Sequence, residues 1–146
     1  MEVTMRDIKF RGFSFNGNKW IYSSGIDIEN GVVSLIVSYG VCFEPEDVEE
    51  ESVGQYTGLK DRNGKEIYEG DIVKTTGVIE SIGKVVFKDC EFCIEVEGWC
   101  SKRPHYQSLK LKEKCDDVKS SFYFDKHFEV IGNIYENKDL LEVKNG

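Results

Sequence analysis

Apolar and polar residues alternate along much of this chain with a period near two, the signature of half-buried β-strands. Ile8, Phe10, Phe13 and Phe15 sit close to alternate positions, and Lys19 to Tyr22 repeats the theme after the turn-forming Asn16-Gly17-Asn18. This predicts an opening hairpin. After Asn30-Gly31, the run Val32 to Tyr39 sets Val33, Leu35 and Val37 on one face and Val32, Ile36 and two serines on the other. A strand covered on most of both sides is expected there. Further strand signals follow at Ser52 to Tyr56, Ile72 to Thr75, Lys84 to Lys88, Phe92 to Glu97, Tyr106 to Leu111 and Phe128 to Tyr135. Short strands at this spacing argue for a barrel or sandwich.

Two segments break the alternation. In Glu44 to Glu51 six of eight residues are acidic, and Pro45 lacks the N–H that strand pairing uses. The expectation is a solvated, weakly ordered loop over 44–51 joining an N-terminal lobe (1–43) to a barrel-like lobe (52–137) within one domain spanning 1–146. Lys102 to Lys119 carries six basic and three acidic residues and reads as a second solvated loop. Near the end, Asn137 is placed to cap a last helical turn whose apolar contacts are Leu140, Leu141 and Val143.

The composition supports strands joined by tight turns: nine Phe, seven Tyr and two Trp accompany 14 Gly and only two Pro in 146 residues. A formal charge of −8 sets the mean field against a phosphate backbone, so nucleic acid is disfavoured as a general ligand. The longest mostly apolar stretch, Val32 to Val41, is far shorter than the ~20 residues a membrane helix needs. With Glu2, Arg6 and Asp7 in place of an apolar leader, a cytoplasmic protein is expected. There the five cysteines, Cys42, Cys90, Cys93, Cys100 and Cys115, would stay reduced.

The most informative stretch is Val53-Gly54-Gln55-Tyr56-Thr57-Gly58-Leu59-Lys60-Asp61-Arg62-Asn63-Gly64-Lys65-Glu66-Ile67-Tyr68-Glu69-Gly70-Asp71-Ile72-Val73. Asp61-Arg62-Asn63-Gly64 is a turn in which Asp61 bonds the backbone ahead of it and Gly64 takes a positive φ. Glu69-Gly70-Asp71 is a second reversal, feeding Ile72 and Val73 into a strand. Two sharp turns so close together call for a highly curved sheet of the kind found in small Src-homology-3-like barrels.

This segment closely resembles the signature of the YopX family, small bacteriophage and prophage proteins of unestablished function. Ile8-Lys9-Phe10-Arg11 resembles the family's opening, and Glu129-Val130-Ile131-Gly132-Asn133-Ile134-Tyr135-Glu136-Asn137 its closing strand. Lys138 departs from the proline that commonly follows, and 89–126 matches no pattern. The resemblance implies a β-rich fold with a barrel-like part and a phage or prophage origin. It supplies no catalytic residues. Gly54, Gln55, Thr57, Gly58, Asp61, Asn63, Gly64, Gly70 and Asp71 form the structural turn signature.

Candidate chemistry is thin. Cys90-Glu91-Phe92-Cys93, with Cys100, His105 and Cys115 beyond, has enough soft ligands for zinc, but Cys93 runs straight into a strand where a zinc knuckle has glycine. If Phe92, Ile94 and Val96 face the core, Cys93 points outward with Glu95 and Glu97. No zinc and no cofactor are expected. Asp61, Glu66, Glu69 and Asp71 have the chemistry of a metal-assisted hydrolase, yet turns need these residue types locally. His105 and His127 belong to no nucleophile motif. Trp20 reads as core; Trp99 and Tyr106 are the aromatics left for stacking.

The function expected is therefore non-enzymatic: an accessory protein that binds a host or phage protein, with self-association left open. Glu46, Asp47, Glu49, Glu50, Lys102 and Arg103 are the candidate partner surface. The rivals are contact with nucleic acid through Lys102, Arg103, Lys110, Lys112 and Lys114, an acidic face that mimics nucleic acid toward a DNA-binding protein, and the hydrolase built on turn carboxylates.

Overall fold

The computed structural model describes residues 6–75, 80–97, 104–109 and 128–142. The chain is mainly β and divides into two compact units, Met1–Leu59 and Lys60–Gly146.

In the first unit β1 (Phe10–Ser14) and β2 (Lys19–Ser23) form the expected hairpin, with Phe10 opposite Ser23 and Ser14 opposite Lys19. Asn18 takes the left-handed conformation at φ 47° that closes the loop. β6 (Gly54–Lys60) adds to β1 through Phe10–Gln55 and Arg11–Gly54. A second sheet has the order β3 (Ile26–Glu29), β4 (Val32–Tyr39), β5 (Cys42–Asp47). Asn30 and Gly31, at φ 51° and 82°, make the two-residue turn between β3 and β4, as an Asn-Gly pair is built to do. The core of this unit is Ile21, Val33, Leu35 and Val48, with Phe10, Ile26, Val37 and Val53 packed around it.

Two expectations fail here. Residues 44–51 are not a loop: β5 pairs with β4 from Cys42–Tyr39 to Asp47–Ser34, and Glu50–Ser52 is a 3-10 turn. Pro45 is tolerated because it lies opposite Ile36, whose N–H goes to Gly25 O and whose carbonyl accepts the Ser23 hydroxyl, both away from β5. The missing N–H of Pro45 thus falls on the outer edge, where strands accommodate proline. Nor is β4 covered on both sides. Val33 and Leu35 are buried; on the other face Ser34 is buried and Ile36 half-buried, but Val32 is 48% exposed and Ser38 is exposed too.

The second unit contains β7 (Glu66–Tyr68) and an antiparallel sheet in the order β11 (Pro104–Ser108), β10 (Glu91–Glu97), β9 (Ser81–Lys88), β8 (Asp71–Thr75), β12 (Phe128–Asn133). Ile67, Val73, Val85, Ile94, Leu109 and Phe128 form its core. Gly83 lets β9 bend under β10, since a Cβ there would stand 2.5 Å from both Glu95 O and Ile94 Cγ2. β12 carries a bulge between Val130 and Gly132 where it follows β8.

The expected C-terminal turn is α1 (Asp139–Glu142), with Leu140 and Leu141 half-buried; Val143 lies outside the described residues. The Asn137 carbonyl accepts the Leu140 N–H at 3.0 Å at the start of this turn, while its side chain has another task. Its Oδ1 accepts the Asn133 N–H at 3.2 Å and packs so close to Gly132 that a Cβ there would meet it at 2.6 Å.

Candidate interaction surface

The acidic segment is built onto a paired strand, so backbone register decides where each carboxylate points. On β5, Cys42, Glu44 and Glu46 share one face, and Phe43, Pro45 and Asp47 share the other. Glu46 turns inward at its tip: Oε1 accepts the hydroxyl of fully buried Ser14 at 2.6 Å, and Oε2 accepts the Tyr39 phenol at 2.9 Å. The Ser14 bond, then the Tyr39 bond, holds the Glu46 carboxyl below its usual range. The same contact raises the Tyr39 phenol. Asp47 is exposed yet accepts the Ser34 hydroxyl at 2.7 Å.

Beyond β5 the backbone crosses to β1. Val48 is buried over Gly12, the Glu49 N–H donates to Phe13 O at 2.9 Å, and Ser52 Oγ accepts the Phe13 N–H at 2.7 Å. Glu50 and Glu51 are left exposed on the 3-10 turn. The structure therefore places Glu46, Asp47, Glu49 and Glu50 along β5 and the segment that follows it, with Glu46 and Asp47 on opposite faces and Glu46 a structural member. Lys102 and Arg103 lie outside the described residues, as do Lys110, Lys112 and Lys114, so the basic half of the expected surface has no place in this description.

Ser14 and Tyr39, which hold Glu46, were not singled out from the sequence, and neither was the open side of the second sheet. That side shows Val32 exposed at one end and Phe43, 73% exposed, at the other, with Val41 fully exposed at the hairpin tip. Only a register between strands reveals it.

Several residues of the turn signature hold the turns together. Gly64 and Gly70 have φ of 80° and 87°, as the two turns require, and Gly58 within β6 also has a positive φ of 84°. Asp61, 6% exposed, accepts the Asn63 N–H at 2.8 Å and the Lys65 N–H at 2.9 Å on Oδ1, and the Val130 N–H at 3.0 Å on Oδ2. Burial alone would raise its pKa, but the three backbone donors outweigh it and hold the carboxyl low. Asp71, also buried, accepts the Tyr68 N–H at 2.8 Å, and Glu66 accepts the Tyr68 phenol at 2.8 Å. Thr57 Oγ1 accepts the Leu59 N–H at 3.2 Å. These carboxylates are committed to backbone and phenol donors.

The cysteine reading needs correction. Cys93 is not outward and open: it is 3% exposed, although it shares the sheet face of Glu95 as alternation required. β10 lies between β9 and β11, so flanking strands shield a small side chain even on the polar face. Burial first, then the Glu91 charge, pushes its thiol pKa up. Cys90 is exposed in a two-residue turn with Asp89, at φ 65° and 51°. Cys100, Cys115, Trp99 and His127 lie outside the described residues. Among the described residues no group of three or more His, Cys, Asp or Glu is placed to hold a metal ion.

Around Cys93 the face is charged. Lys84 Nζ meets Glu95 at 3.0 Å, and the Lys88 ammonium stands 3.6 Å from the centre of the Tyr106 ring. Burial opposes ionisation of Glu95, but Lys84 and Tyr106 hold its carboxyl below the usual range. In the first unit Trp20 is half-buried, edge-on to Phe13 at 5.7 Å and beneath the Arg11 guanidinium at 5.0 Å. Both aromatics serve packing and cation–π contact.

No helix among the described residues is long and apolar enough to cross a membrane. Among solved structures, the crystal structure of protein EF1440 from Enterococcus faecalis resembles this chain with a TM-score of 0.48 and 23% identity, covering 94% of this chain and 99% of the other. No curated protein matches. The YopX protein family matches residues 9–142, from the first strand through the last helical turn, and the chain belongs to that family.

Proposed function

We propose that this is a non-enzymatic accessory protein of phage or prophage origin that acts in the bacterial cytoplasm by binding a host or phage protein. The observation that carries the reading is the acidic edge of the first unit. Its carboxylates stand on a paired strand and a 3-10 turn fixed to β1, so their spacing is set by hydrogen bonds rather than left to a loop. Family membership supports the accessory role. The hydrolase alternative loses support because Asp61 accepts three backbone N–H groups and Asp71 accepts the Tyr68 N–H.

Affinity capture from host lysate tests the reading. The wild-type chain is expected to retain a specific protein that a variant carrying Asp47→Ser, Glu50→Ser and Glu51→Ser retains weakly, with raised salt reproducing the loss. Retention of nothing by the wild type, or hydrolase activity with stoichiometric metal, would overturn it.

A further inference from the structure

Every net charge on this protein traces to one segment. From Ile21 to Leu59 there is no Lys, Arg or His, while Asp27, Glu29, Glu44, Glu46, Asp47, Glu49, Glu50 and Glu51 contribute eight carboxylates, which equals the whole formal charge of −8. The rest of the chain holds 19 basic and 19 acidic residues, the latter being the total of 27 less those eight. β3, β4 and β5 all lie inside this cation-free segment.

The register of these strands defines an open face. Val32 stands beside Glu29, Ser34 between Asp27 and Asp47, Ile36 beside Pro45, and Ser38 beside Phe43. Val32, Pro45 and Phe43 are exposed along this face in that order, with Asp27, Glu29 and Asp47 exposed around its Val32 end. We propose that this face docks a cationic surface of another protein, one presenting Lys or Arg side chains around apolar ones. The proposal rests on the binding reading above and names its partner's chemistry and a face that shares only Asp47 with the acidic edge.

Charge complementarity selects that occupant. Nucleic acid and anionic membrane are repelled by a face with no cation on it. A second copy seated on the same face would oppose like charges. A cationic protein gains from both parts of the face, since Asp27, Glu29 and Asp47 flank apolar side chains that are already paying the hydration penalty of exposure. Recognition runs through side chains rather than strand addition, because Pro45 turns its missing N–H to the outer edge of β5.

The test is a titration of the isotope-labelled full chain, followed by backbone NMR, with a synthetic peptide alternating arginine and valine. A glutamate–valine peptide of equal length and a DNA duplex serve as controls. Saturable shifts confined to β3, β4 and β5 are expected with the cationic peptide alone. Phe43→Ser and the triple change Asp27→Asn, Glu29→Gln, Asp47→Asn should each weaken binding by about tenfold or more. Glu142→Gln, in the second unit, should leave it unchanged. Dispersed spectra of each variant verify its fold before titration. Absence of saturable binding, equal binding by the acidic peptide or DNA, or shifts outside the three strands would overturn the inference. Lysate capture separates the two readings. A host protein held equally by wild type and Phe43→Ser leaves the binding function standing and removes this face, whereas no retention by the wild type removes both.

Discussion

The carboxylate of Asp61 accepts the main-chain N–H of Val130 across 69 residues of sequence, 3.0 Å from Oδ2 to nitrogen. One buried side chain thereby closes a turn with its first oxygen and anchors β12 with its second.

Asp61→Ala should destabilise the fold by about 3 kcal/mol, because three backbone donors lose an ionised acceptor in a buried place. The pH dependence has a fixed sign. The folded-state pKa lies below the ordinary 3.8, so this stability is complete above that value and drains away as pH falls through the lower folded value. Urea melts of wild type and Asp61→Ala from neutral to acid pH should converge on the acid side.

Gly83 and Gly64 should separate two reasons for glycine. Gly64 has φ 80° and open space around a Cβ, so Gly64→Ala meets only backbone strain, about 1 kcal/mol. At Gly83 a Cβ would face the Glu95 carbonyl at 2.5 Å, and Gly83→Ala should cost about 3 kcal/mol despite an ordinary backbone conformation. Thermal midpoints rank the two.

Glu46 and Glu50 are both acidic-edge residues, but only Glu46 holds partners in Ser14 and Tyr39. Glu46→Ala should cost about 1 kcal/mol, and Glu50→Ala should stay within about 0.5 kcal/mol of wild type. The Glu46 pKa is lowered from the ordinary 4.5, so its contribution is present above that value and fades as pH drops through the folded one. Denaturant midpoints at neutral and acid pH check both statements.

Alkylation should find the cysteines in order of exposure. Cys42 and Cys90 are exposed, whereas Cys93 is buried with its thiol held protonated. Iodoacetamide at mildly alkaline pH should label Cys42 and Cys90 in the folded chain and Cys93 only after denaturation, as read by peptide mass mapping.

The parts of this fold legible in the sequence are those set by neighbours in sequence. Asn30-Gly31 fixed a two-residue turn, Asp61 to Gly64 and Gly70 fixed the signature bends, and alternation placed Phe92, Ile94 and Val96 around the second core. What escaped depends on which strand lies alongside. Pro45 and its acidic neighbours look like a loop until Ile36 is seen turning its backbone away from them. Cys93 looks exposed until β9 and β11 flank it. The candidate surface was legible as charge, but the exposed Phe43 and Val32 beside it were not, because a strand alone does not say which of its faces stays open.

The order in which a ribosome releases these strands gives the β8–β12 pairing a consequence of its own. β8 emerges early in the second unit with its neighbour β9 next after it, but its other neighbour is β12, and the N–H of Ile134 that bonds Gly70 O at 2.8 Å comes later still. Throughout that interval Asp61 lacks its Val130 donor, and β8 has an unfilled ladder edge bearing Ile72 and Val73, two residues fully buried in the finished protein. Synthesis thus passes through a sticky stage whose length is the chain between the two strands, and slow translation across it would expose nascent copies to one another.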